Sequence, residues 1–223
     1  VVSKLVAWLT GAVLLLPAGL LAAAGLVHLH NGQAVNAAFP VPLMMATDVA
    51  VPARASADAA RALAVADPRD GDAVLAQAEA GYHAGVPRTE TLQRVRAGLS
   101  RAPASAEGWT FYAEMLQPRD PAMAVRALDQ AFLLAPHDFY LAGRRARLAA
   151  LLWGQLDRDG RDAALTQARL LWQEPLLHQE MLQLLAAPQG SALLTRAYAG
   201  DPDTMRAINR WVSAQRRAAK VAP

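Results

Sequence analysis

Apolar positions along this chain follow two rules. Through residues 5–27 they continue for 23 residues without one charge, whereas from Ser56 onward they return every three or four positions between Asp, Gly and Pro. The uncharged run would span about 34 Å as a helix, against a hydrocarbon core of about 30 Å. Residues 1–30 are therefore expected to form a single transmembrane anchor. The run exceeds the roughly 7–15 apolar residues of a signal-peptide core, which favours a retained anchor. Ala22, Ala23 and Ala24 nevertheless supply the small residues that a cleavage site needs. Ala7 and Gly11, Ala18 and Ala22, and Gly19 and Ala23 stand four apart, the spacing that lets helices pack closely in lipid. The alternative is that small residues are simply abundant in such spans.

Residues 31–54 read as a linker, because Pro40, Pro42 and Pro52 interrupt any regular element. Its apolar stretch 39–45 would lie on the membrane, enter a partner's groove or pack on the chain's own helices. The remainder, 55–220, carries helical periodicity with breakers between segments, and no Val-, Ile- or Thr-rich alternation that would make a sheet. Helices are predicted near 56–66, 71–85, 88–101, 106–117, 121–134, 138–155, 159–173, 176–187, 190–199 and 202–218. Asp70, Thr89, Ser105, Asp120, Asp138, Asp159 and Asp201 stand near their starts, where a side-chain oxygen can cap free amides. Pro121 and Pro202 suit a first helical turn. The fold class is all-α, an anchor followed by antiparallel helix pairs.

Residues 106–136 hold the most informative phrase: a helix carrying Trp109, a turn rich in Pro and Asp, a second helix, then Pro136. On the second helix Ala124, Leu128, Ala131 and Ala135 share one face, small enough for a neighbouring helix to approach. Trp109, Leu128 and Phe132 are expected between helices. Helix-ending prolines recur at Pro68, Pro103, Pro136 and Pro175, separated by 35, 33 and 39 residues. With Trp109, Ala113, Ala124, Leu128, Ala131 and Pro136 at its set places, the stretch resembles the tetratricopeptide repeat, whose period is about 34 residues. Leu128 stands where the family has an aromatic, and the inter-helix turn is one residue short. The resemblance covers roughly residues 55–175 and implies a curved superhelix of stacked pairs. First helices of successive pairs would line its concave side, presenting Tyr82, Phe111, Tyr112, Arg144, Arg145 and Arg147 as partner-binding residues.

Composition narrows the chemistry. The absence of Cys excludes disulfides, thiol nucleophiles and Cys-based zinc sites. His28 and His30 lie two apart and would point away from each other on a helix; His83, His137 and His178 are scattered without Asp or Glu at ligand spacing. No nucleophile elbow, zinc helix motif, phosphate loop or dinucleotide fingerprint occurs. No catalytic residue, metal site or cofactor is expected. The net charge of +3 comes from Arg interleaved with Asp and Glu, which argues against a nucleic-acid partner. The cluster Arg144, Arg145 and Arg147 either faces solvent or takes an acidic ligand bidentately.

Lys4 precedes the uncharged run and no charge follows until Asp48, so the positive-inside rule puts the N-terminus in the cytoplasm. In a Gram-negative cell the helices would then be periplasmic. The expected role is non-enzymatic: a scaffold positioning other membrane or periplasmic proteins in a bacterial envelope complex. Anchored repeat proteins of polysaccharide synthesis or export are the nearest in style. Two alternatives remain, an accessory subunit of a respiratory or photosynthetic membrane complex and a periplasmic protein that binds or acts on glycans.

Overall fold

Asp and Ser residues close the free amide ends of most of the described helices. A computed structural model describes residues 52–66 and 69–221. Among these, every regular element is helical: α1 Ala53–Leu63, α2 Gly71–His83, α3 Arg88–Leu99, α4 Ala106–Leu116, α5 Pro121–Leu134, α6 Phe139–Leu152, α7 Arg158–Gln173, α8 His178–Leu185, α9 Pro188–Ala197 and α10 Pro202–Val221, with a 3₁₀ turn Pro175–Leu177 before α8. The uncharged run 5–27, its small-residue pairs, the linker stretch 39–45 and Pro68 lie outside the described residues. No helix among the described residues is long and apolar enough to cross a membrane.

Five expected caps are in place. Asp70, Ser105, Asp120, Asp138 and Asp201 accept from the backbone N–H of Ala73, Gly108, Met123, Tyr140 and Thr204. The other two positions differ. Asp157, not Asp159, caps α7 by accepting from the N–H of Gly160 at 2.8 Å, which leaves Asp159 in the first turn. Pro87, not Thr89, precedes α3, where Thr91 donates back to the Pro87 carbonyl. The turn after α2 is closed by Gly85 at φ +100°. Its N–H bonds to the Tyr82 carbonyl and that of Val86 to the Gly81 carbonyl, the double closure of a Schellman end.

Turns of a few residues reverse the chain between α2 and α3, α4 and α5, and α6 and α7, and these pairs, with α1 and α2, pack most closely. One core runs through them, from Leu75 on α2 to Val212 on α10. On the small-residue face of α5, Ala124, Leu128 and Ala131 are completely buried, and Phe132 nearly so, as is Ala113 of α4; Ala135 differs, because the helix ends at Leu134 and leaves it half-buried. Leu75 enters a hollow formed by two glycines: a Cβ on Gly98 or Gly108 would meet its side chain at 2.7 or 2.6 Å. A smaller core of Ala59, Leu63 and Ala80 joins α1 to α2. Trp109 departs from expectation. It is half-buried, because its Nε1–H reaches outward to the Pro103 carbonyl at 2.8 Å while its ring meets Tyr112 edge-on.

Candidate functional site

Helix α6 carries its three arginines through the centre of the molecule. Arg144 forks onto Glu114 of α4, with Nε to Oε1 at 3.1 Å and Nη2 to Oε2 at 2.6 Å, while Nη2 also meets Glu79 of α2 at 2.8 Å. One guanidinium therefore ties three helices, and only 4% of its side chain is exposed. Burial works against the charge, but Glu114 first and Glu79 next hold the Arg144 pKa above its ordinary value. Arg145 is completely buried, donating from Nε to Thr110 of α4 and from Nη1 to the Ala135 carbonyl that ends α5. Burial lowers its pKa to about 10, which leaves it charged at neutral pH. Arg147 reaches the other way, to Glu180 at 2.6 Å and Gln183 at 3.3 Å on α8. Gly143 makes room for this contact, since a Cβ there would sit 2.9 Å from the Glu180 Cβ.

The residues expected in an open concave groove are thus mostly interior. Arg144 and Arg145 are buried, Arg147 is largely covered, and all three are engaged by the chain's own acceptors. Phe111 is buried; Tyr112 is buried too, its hydroxyl accepting from Nε of Arg96 at 3.0 Å. Tyr82 is half-buried, edge-on to Phe111. The cluster presents neither a solvated outer face nor an arginine fork free for an acidic ligand. Glu79, Glu114 and Glu180 are the partners that sequence reasoning missed. The available signal was spacing: Arg144, Arg145 and Arg147 find side chains 30, 35 and 33 residues away, about one repeat.

Among the described residues, two surface depressions bear on function. A narrow crevice of about 90 Å³ between α2 and α4 is lined by Asp72, Glu79, Ser105, Glu107 and Phe111. Desolvation in this crevice, then the Glu79 carboxylate, raise the Glu107 pKa to about 7, against the opposing pull of Arg144. More than a third of the Glu107 side chain still meets water. The larger groove, about 390 Å³, lies between the C-terminal half of α5 and the start of α7. Phe132, Leu133, Pro136 and Ala163 make its apolar surface, and Leu133 is 76% exposed. Asp129, Asp157 and Asp159 stand on its rim. Burial and the Asp157 charge raise the Asp129 pKa. Among the described residues, no group of three His, Cys, Asp or Glu side chains is placed to hold a metal ion. No protein-family model matches the chain, and neither a curated protein nor a solved structure is detectably similar to it.

Proposed function

We propose that this chain is a non-enzymatic, membrane-anchored scaffold of tetratricopeptide type that holds another protein in a bacterial envelope complex, with polysaccharide synthesis or export as its setting. Residues 5–27 would cross the inner membrane with the N-terminus cytoplasmic and the helices periplasmic. The observation that carries the repeat reading is the spacing of long-range side-chain bonds. Arg144 to Glu114, Arg145 to Thr110, Arg147 to Glu180 and Gln167 to the Pro136 carbonyl join residues 30, 35, 33 and 31 apart. A stack of helix pairs with a period of about 34 residues brings such positions face to face.

The arginine row does not favour the glycan alternative, since carboxylates, a hydroxyl and a carbonyl take most of its donors and Nη1 of Arg144 and Nη2 of Arg145 are buried away from the surface. Purification of the full chain in mild detergent, with identification of what accompanies it, tests the reading. Recovery of one envelope protein at fixed stoichiometry is the expected result. Recovery with a redox complex would make the chain an accessory subunit, and a lone chain that binds acidic glycan would make it a glycan-binding protein.

A further inference from the structure

The groove between α5 and α7 combines an apolar floor with an acidic rim, and its two chemistries face the same opening. Phe132, Pro136 and Ala163 form the floor, and Leu133 extends it into solvent as a large aliphatic side chain at 76% exposure. Its volume of about 390 Å³ is comparable to the roughly 300–1,000 Å³ of clefts that bury drug-sized ligands. Three carboxylates border it: Asp129 from α5, and Asp157 and Asp159 from the start of α7. Among the described residues none of the three is ion-paired. The positive end of α7 offers about half a charge, too little to balance three carboxylates. Arg126, Arg158 and Arg161 on the same helices stay outside the lining, so three carboxylates and no cation border the uncovered apolar surface.

We infer that this groove docks a short segment of a partner protein in which Lys or Arg alternates with aliphatic residues. The aliphatic side chains lie on Phe132, Leu133 and Pro136, and the cations meet Asp129 and Asp159. Asp157 is already held by its cap to Gly160, so its charge contributes field more than geometry. The inference names a partner chemistry for the scaffold reading and rests on that reading only for its biological use. It also places docking on second helices of the pairs, away from the row of first helices.

The test uses the full chain in detergent micelles and three labelled peptides, one alternating Leu and Lys, one Leu and Glu, and one Ser and Lys. Protein-free micelles serve as blank, and binding is read by fluorescence anisotropy. The Leu–Lys peptide is expected to bind saturably, at least about tenfold tighter than either control, and to weaken as salt rises to ~0.5 M. Leu133→Ser, and Asp129→Asn together with Asp159→Asn, should each weaken it about tenfold. Leu133→Ser should do so at unchanged melting temperature, because that side chain is outside the core. Absent or equal binding of the three peptides overturns the inference, as does indifference to both variants. Self-association of the chain abolished by the same variants also overturns it, since a second copy would then be the occupant. A partner that co-purifies equally with wild type and Leu133→Ser removes the groove from the account while the scaffold reading stands.

Discussion

Gly85 and Glu107 hold the most exacting positions among single residues. At φ +100° Gly85 adopts a conformation that side chains resist, although nothing crowds the space a Cβ would take. Gly85→Ala should therefore cost about 1–2 kcal/mol through the backbone alone, read as a lower urea midpoint at unchanged m-value. Glu107 responds to pH. Its folded pKa is raised to about 7, above the ordinary carboxylate value, so between those limits the folded state binds more protons than the unfolded one. The contribution of Glu107 to stability thus grows as pH falls from about 8 toward 5 and is lost as pH rises through 7. Water reaches more than a third of the side chain, so the sign of this slope is the testable quantity. Glu107→Gln should flatten the pH dependence of the melting temperature over that window; an unchanged slope would place its origin elsewhere. Trp109→Ala should fall short of the ~3–5 kcal/mol lost by a fully buried aromatic, because Trp109 is only partly buried.

At the scale of elements, α6 is the member that the others are fastened to. Arg144→Met would leave Glu79, buried, and Glu114, part-buried, without their cation and should cost about 3–5 kcal/mol in chemical unfolding. Arg126→Ala, at an exposed position of α5, should change stability by less than about 0.5 kcal/mol. Charge reversal at Arg144 would accordingly unfold the domain, although a surface arginine cluster would have allowed it. Much of this level was legible in the sequence. Caps, first-turn prolines and the Ala124–Leu128–Ala131 face act within four residues, so helix positions and the packed face of α5 could be read directly. The arginine partners could not, since each lies on another helix and depends on how helices rotate against one another. The α5–α7 groove escaped notice for a related reason. Leu133 sits two positions beyond Ala131 and so points away from the packing face, and its acidic rim is assembled from two helices.

At the scale of the whole molecule, α2 to α10 share one core, and side-chain bonds about one repeat apart hold successive pairs in register. Such a stack presents long surfaces, which suits a part that positions others. Under the proposed function the helical domain would make the specific contact, and residues 5–27 would keep both proteins at one membrane. A tether of this kind raises effective concentration without adding contacts. The division is tested by measuring retention of the co-purified partner by the full chain, by residues 52–221 alone, and by residues 1–51 alone. Residues 52–221 are expected to bind the purified partner saturably but more weakly than the full chain, and residues 1–51 are expected not to hold it. Retention by residues 1–51 with no affinity in residues 52–221 would contradict this division.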